Sequence, residues 1–226
     1  MIIVVAAEKG GVGKSTNAIT IACRIKLDGA DVVLVDTDTS ATAIGWSDIR
    51  VQNKMEPPIQ VTQNLRQPLP AVIDFAEKYD AVVCDLGAGD YAKMRDLALA
   101  ADLYLVPTRV GQPDLESTVR LYEAVRSLDG RHKRGRVPLV VAMNATPAAW
   151  NNTEDAEARA ALEAACPGIT ILKSSLRDRK VWRDAGKVGR SIYEMPKRDA
   201  EKAVAEFEDL FIEALQQAAA DLGFTP

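Results

Sequence analysis

The chain has 226 residues, 47% of them hydrophobic and 27% charged, with a formal net charge of −4. That length suits a single α/β domain over 1–226 with a sizeable core, and the negative balance excludes a molecule that is basic all over, as a whole-surface nucleic-acid binder would be. No apolar run approaches the roughly 20 residues that span a bilayer, no signal peptide precedes the first strand pattern, and Cys23, Cys84 and Cys166, scattered and without a C-x-x-C pair, read as buried thiols of a reducing cytoplasm.

Strand and helix patterns alternate along the chain, which predicts a mostly parallel central sheet flanked by helices on both faces, three layers in all. Ile2 to Ala7 is the first strand. Ser15 to Leu27 is a helix with Ala18, Ile21, Ala22 and Ile25 at helical spacing, ended by Asp28-Gly29. A buried strand, Val32 to Val35, delivers Asp36 and Asp38 to its end. A short helix over Ala41 to Ile49 carries Trp46. Arg50 to Gln67 has the weakest pattern, with Pro57-Pro58 and a strand at Ile59 to Val61. A helix over Pro70 to Lys78 leads to a strand, Ala81 to Cys84, that ends in Asp85. Helix Tyr91 to Ala100, strand Leu103 to Val106 and helix Pro113 to Leu128 follow. The basic loop to Arg136 holds Arg131, His132, Lys133 and Arg134, read as solvated surface. Strand Leu139 to Met143, helix Glu154 to Ala165, strand Ile169 to Leu172 and helices over Asp178 to Ala185 and Asp199 to Leu222 complete the chain.

The stretch E-K-G-G-V-G-K-S-T, Glu8 to Thr16, sits between the first strand and the first helix. That is the layout of a phosphate-binding loop. Gly10, Gly11 and Gly13 let the backbone approach a phosphate, and successive N–H groups, Val12 included, face the anion at the positive end of the helix. Lys14 supplies a full charge to the β and γ phosphates, and the Ser15 hydroxyl suits Mg2+. V-L-V-D-T-D and A-V-V-C-D are apolar strands ending in aspartate. The second has the Walker B pattern, whose carboxylate, Asp85, holds Mg2+. Ligands of such sheets bind beyond the carboxyl ends of the strands, where these groups lie.

The general phosphate-loop pattern has a Gly where this chain has Glu8, and K-G-G-V-G-K-S-T closely resembles the deviant Walker A motif of the ParA/MinD family of P-loop ATPases. The resemblance implies a P-loop NTPase fold, ATP and Mg2+ as cofactors and an ATP-dependent homodimer. Lys9 matches the family's signature lysine, which reaches across the dimer to the nucleotide of the other subunit. Carried over, Lys9, Lys14 and Asp38 are catalytic, with Asp38 orienting the attacking water. Lys9, Gly10, Gly11, Val12, Gly13, Lys14, Ser15, Thr16 and Asn144 bind nucleotide, Asn144 as an adenine contact. Ser15, Asp36 and Asp85 form the metal shell. The aspartate motif departs from the family's usual Asp-Pro-Gln continuation, with Thr39 and Ser40 following Asp38.

Charge is uneven. Lys173 to Arg198 holds nine Lys/Arg against three Asp/Glu, and Arg177, Lys180, Arg183 and Lys187 share one face if that stretch is helical. Such a stripe follows a phosphate backbone without reading sequence. L-R-D-R-K-V-W-R-D-A-G-K-V-G-R-S-I resembles the late segment in which ParA-type proteins carry DNA-contacting residues, here Arg177, Arg179, Lys180, Arg183, Lys187 and Arg190. The last helix, with Val204, Phe207, Phe211, Leu215, Ala218 and Leu222 on one side and seven acidic residues over Asp199 to Pro226, is read as packed on the body. An anionic membrane would repel it, unlike the basic targeting helix of the MinD branch.

These features are similar to a small ParA/ParF-like partition ATPase without an N-terminal DNA-reading domain. The expectation is a cytoplasmic, nucleoid-associated protein that dimerises on MgATP and binds nonspecific DNA. A ParB-like adaptor or centromere-binding protein on a plasmid or chromosome would stimulate its hydrolysis. Two alternatives stay open: a ParA-like positioning ATPase for a protein cargo or DNA-transfer complex, and a P-loop biosynthetic enzyme that binds no DNA. An iron-protein reading is disfavoured by the absence of paired cysteines.

Overall fold

The computed structural model describes residues 1–147 and 153–221. Its strands are β1 (Ile2–Val5), β2 (Val32–Asp36), β3 (Gln60–Gln63), β4 (Ala81–Asp85), β5 (Leu103–Thr108), β6 (Leu139–Thr146) and β7 (Ile171–Arg177). They form one sheet in the order β3-β2-β4-β1-β5-β6-β7, and every pairing is parallel. The helices are α1 (Lys14–Leu27), α2 (Thr42–Gln52), α3 (Pro68–Ala76), α4 (Tyr91–Ala98), α5 (Gln112–Arg126), α6 (Glu154–Ala165), α7 (Lys180–Lys187) and α8 (Lys197–Asp221), with a single 3-10 turn at Ile192–Glu194.

Strand side chains alternate between the two faces, and here both faces are covered. Ile3, Val5, Leu34, Val83 and Leu105 pack beneath α1, α2, α7 and α8. Ile2, Val4, Val33, Val35, Val82 and Cys84 pack beneath α3, α4, α5 and α6. This double burial explains why the central strands read as continuous apolar runs rather than alternating ones. Each large side chain so buried contributes about 1.5–3 kcal/mol.

The edges depart from that rule, and the sequence was least informative there. β3 pairs only with β2 and keeps Gln60 and Gln63 exposed, so its span lies one to two residues beyond the Ile59 to Val61 expectation. β7 begins at Ile171 and runs through Lys173 to Arg177, well past the expected end at Leu172. Its polar residues are satisfied by a neighbour: the Glu213 carboxylate of α8 accepts the N–H groups of Lys173 (2.7 Å) and Ser174 (3.0 Å). β6 likewise continues past Met143 to Thr146 and absorbs Asn144. α8 buries Ala203, Phe207, Leu210, Phe211 and Ala214, with Phe207 in ring contact with Trp182, Tyr193 and Phe211. It packs on the body as its periodicity indicates. Leu222, the expected end of its apolar row, lies outside the described residues. Among those residues no helix is long and apolar enough to cross a membrane.

His132 corrects the solvated-loop reading. Its ring is only 4% exposed. Nε2 lies 2.9 Å from the Ala101 carbonyl and Nδ1 accepts the Arg134 N–H at 3.2 Å, an arrangement that calls for the neutral Nε2–H tautomer. Burial lowers its pKa. Four neighbouring basic residues masked a histidine that pins the 131–136 loop to the start of β5. Lys133 and Arg134 reinforce the attachment through Asp102. The three cysteines are free and buried.

Candidate functional site

The site forms where β1, β2 and β4 end side by side, with Asp36 paired in register to Asp85 and Asp85 to Val5. β1 passes into the glycine loop, and Gly11 (φ 75°) and Gly13 (φ 98°) both adopt left-handed backbone. Gly13 is fixed twice over: a β-carbon there would also run into the Asn144 amide. Among the described residues, no backbone N–H from Gly10 to Gly13 donates to a protein acceptor. Four free amides leading into the N-terminus of α1 form an anion-binding nest. Lys14, at the first position of α1, is 6% exposed and donates from Nζ to the Lys9 carbonyl at 3.1 Å. Burial lowers its pKa, while Asp85 and Asp38 act in the opposite direction.

Asp85 is the least comfortable group in this site. It is 1% exposed, and among the described residues neither carboxylate oxygen has a hydrogen-bond partner. Burial raises its pKa to about 7; the nearby Ser15 hydroxyl and Lys14 ammonium favour ionisation, while Asp36 and Asp38 oppose it. An unpaired buried carboxylate is costly, and a hard divalent cation is the partner that its two oxygens and the Ser15 hydroxyl would fit. No cluster of three or more His, Cys, Asp or Glu able to hold a metal exists among the described residues. The donor set therefore matches a magnesium shared with phosphate and water rather than a protein cage.

The raised pKa of Asp85 couples folding to pH. Between about pH 4 and pH 7 the unfolded chain ionises this carboxyl before the folded one does, so folded stability falls as pH rises through that window. In EDTA and without nucleotide, wild type should lose stability relative to Asp85→Asn across that window, with the gap constant above it. Calorimetric melting of both proteins from pH 4 to pH 8 measures this, and parallel curves would contradict it.

Asp36 occupies a different position from Asp85. It is fully buried, and its oxygens accept the N–H groups of Asp38 (3.0 Å), Ala43 (3.0 Å) and Ile44 (3.2 Å). It ties the aspartate loop to the start of α2. Asp38 is half-buried at the mouth of the site, turns back on the Ser40 N–H (2.9 Å) and packs on Gly87 of the loop after β4. Asn144 donates to the Val12 carbonyl at 2.5 Å, bracing the glycine loop from behind. A cavity of about 310 Å3 opens beside it, lined by Gly11, Gly13, Thr16, Arg109, Arg177 and Trp182 among others. The size and place suit a nucleoside. Ser15 and Thr16 border the loop at the first turn of α1.

Lys9 stands off the loop. Its ammonium pairs with Asp114 of α5 at 3.2 Å and is 42% exposed. Asp114 was not singled out from the sequence: its only local signal is Pro-Asp at a helix start, 105 residues away from its partner along the chain.

The late basic residues do not form the single stripe that a continuous helix would give. Arg177 ends β7, with its guanidinium on the Pro147 carbonyl at 2.9 Å. Arg179 precedes α7 and pairs with Glu206 of α8. Arg190, beyond α7, is half-buried against the cavity lined by Trp46 and Trp182. Lys180, Arg183 and Lys187 remain on one side of α7, with side chains 83%, 61% and 73% exposed. Each is near Asp178 or Asp184, so the surface is basic but not purely so.

Residues 3–213 match the family described as the CobQ/CobB/MinD/ParA nucleotide binding domain. Protein ParA of Rhizobium radiobacter is 23% identical over 209 residues, covering 90% of each chain. Among solved structures, apo McdA of Cyanothece superposes with a TM-score of 0.72 at 18% identity, covering 94% of this chain and 98% of that one. A putative plasmid partition protein of Borrelia burgdorferi bound to AMPPNP gives a TM-score of 0.69 at 17% identity, with 94% and 98% covered.

Proposed function

The chain belongs to the CobQ/CobB/MinD/ParA nucleotide-binding family, whose ParA and MinD members are P-loop ATPases, and from that membership we propose that it is a ParA-type partition ATPase. Residues 1–226 act as one ATPase domain. The observation that carries the reading is Asp85: among the described residues this buried carboxylate has no hydrogen-bond partner, and with Lys14, Ser15 and the nest of amides beside it the set fits a metal–phosphate group. Residues 10–16 hold the triphosphate, with Asn144 behind them and the adenosine in the adjoining cavity. Mg2+, held by Ser15 and Asp85 with Asp36 supporting the shell from behind, supplies neutralising charge on the phosphates. Asp38 positions the attacking water at the mouth.

Two copies then close on ATP, and Lys9 leaves Asp114 to reach the partner subunit's γ phosphate, acting as an arginine finger does in trans. The paired surfaces of Lys180, Arg183 and Lys187, backed by Arg177, Arg179 and Arg190, hold nonspecific DNA and place the protein on the nucleoid in the cytoplasm. A ParB-like adaptor on plasmid or chromosome stimulates hydrolysis and releases it. The similarity to Protein ParA of R. radiobacter and to a B. burgdorferi protein described as a putative plasmid partition protein supports this reading.

Lys9→Ala tests the division of labour. It should bind ADP as wild type does and lose at least tenfold in ATP turnover, since arginine-finger groups contribute about 10³-fold or more. Normal turnover in Lys9→Ala would remove the trans mechanism.

A further inference from the structure

Glu8, which stands where the general phosphate-loop pattern has a Gly, is the centre of a three-element node. Its carboxylate accepts Arg120 of α5 in a forked pair, Nε at 3.0 Å and Nη2 at 2.7 Å, and accepts the Tyr91 hydroxyl of α4 at 2.5 Å. The forked geometry is the stronger kind of ion pair. The Arg120 contact holds the Glu8 carboxyl below the usual carboxylate range. Tyr91 opens α4, six residues after Asp85, and the same turn sends Lys93 Nζ to the Thr37 carbonyl at 3.2 Å. The first turn of α4 therefore touches both loops that flank the phosphates.

The residue that follows Glu8 is Lys9, and the two residues after it, Gly10 and Gly11, have no atom within 4 Å of where a β-carbon would stand, the next tie on the loop being the Val12 carbonyl held by Asn144. Any control over the direction of Lys9 must come from its N-terminal side or from its own ion pair. Residue 8 is tied to Arg120, and residue 9 to Asp114 on the same helix. The Lys9 carbonyl also receives Lys14 Nζ, a contact that Lys14 can exchange for phosphate oxygens, so its hold on nucleotide does not rest on this peptide.

We infer that Glu8 is a positioning residue for Lys9, clamped between Arg120 and Tyr91 so that Lys9 is aimed along α5 toward a second subunit rather than swinging on its glycines. The inference rests on the functional reading above, in which Lys9 acts on hydrolysis across a dimer. Glu8 touches no phosphate in this arrangement. Its loss should lower turnover and leave nucleotide affinity alone, because the nest and Lys14 survive it. Tyr91 places the segment after Asp85 in the same circuit.

The test is a mutant cycle read as steady-state ATP turnover and as Kd for a fluorescent ADP analogue, with thermal melting of each variant. Glu8→Ala and Arg120→Met should lower kcat about tenfold, within the roughly hundredfold that a misplacement of about 1 Å costs. Their Kd should stay within about threefold of wild type. Tyr91→Phe, which removes one hydroxyl and keeps the ring, should lower kcat about threefold with an unchanged melting temperature. Arg120→Lys should recover part of the Arg120→Met loss. Glu8→Ala/Lys9→Ala should be no slower than Lys9→Ala alone, since residues acting through one group are not additive. A multiplicative loss in the double variant would overturn the inference, as would a tenfold weaker Kd with kcat held, or wild-type kcat in Glu8→Ala. Lys9→Ala turning over as wild type does would overturn the functional reading and this inference with it, a pattern distinct from those three.

Discussion

Lys14→Ala should abolish measurable MgATP and MgADP binding, a loss of at least a hundredfold in affinity. Among the described residues Lys14 is the cation buried at the nest, its pKa is lowered by that burial, and its Nζ is parked on the Lys9 carbonyl, an acceptor it can exchange for phosphate oxygens. A charge-assisted contact to a doubly or triply charged anion in a partly buried site is worth several times a surface pair. Lys9 cannot substitute, because it is held on α5 by Asp114. The variant should fold normally, since it removes a buried charge that lacks a carboxylate hydrogen bond. Isothermal titration with MgADP measures the effect. Wild-type affinity in Lys14→Ala would mean that the phosphates bind elsewhere.

The second large effect concerns DNA. An acidic protein of net charge −4 binds a polyanion only if its basic residues are gathered and multiplied. One α7 offers Lys180, Arg183 and Lys187, each shadowed by a carboxylate, and is a weak site alone. A dimer presents two, and the binding free energies largely add. With six phosphates neutralised, the log–log salt slope is about −0.9 per phosphate, and affinity falls about a thousandfold between roughly 50 and 200 mM salt. Lys180→Ala/Arg183→Ala/Lys187→Ala should lose that slope and most of the affinity while still dimerising with ATP. Unrelated duplex sequences should bind wild type nearly alike, because backbone contacts carry no base information. Fluorescence anisotropy with ATP, with ADP and without nucleotide reads all of this. Equal binding by the triple variant at every salt concentration would leave α7 a solvated helix and return attention to the 131–136 loop, whose Lys133 and Arg134 are already engaged with Asp102.

What was legible in the sequence follows from what local patterns can encode. The seven strands and eight helices among the described residues are nearly all visible as runs and periodicities, because both faces of the sheet are buried and the central apolar runs are unbroken. The glycine loop and the two strand-end aspartates are legible because phosphate chemistry demands those residues at those spacings. The misses share a physical cause. β7 hides its second half in Lys173-Ser174-Ser175, a polar edge whose amides are satisfied by Glu213 from 39 to 40 residues away. His132 is buried by a carbonyl 31 residues back. Asp114, Arg120 and Tyr91 matter through Lys9 and Glu8, at separations of 83 to 112 residues. No window of sequence shows such a pair. Arg177 reads as a member of a helical stripe, but the strand continues through it, and Arg179, expected with it among the DNA contacts, is taken by Glu206.

With the Lys9 ammonium on Asp114 and Lys14 Nζ on the Lys9 carbonyl, one subunit should hold the nucleotide and two should be needed to cleave it. The direct measurement is ATP turnover per subunit as a function of protein concentration, with the oligomeric state followed by light scattering in the same samples. The account predicts a specific activity that climbs with concentration as dimer forms and levels off when dimer is complete. A constant specific activity from a chain that stays monomeric throughout would contradict it.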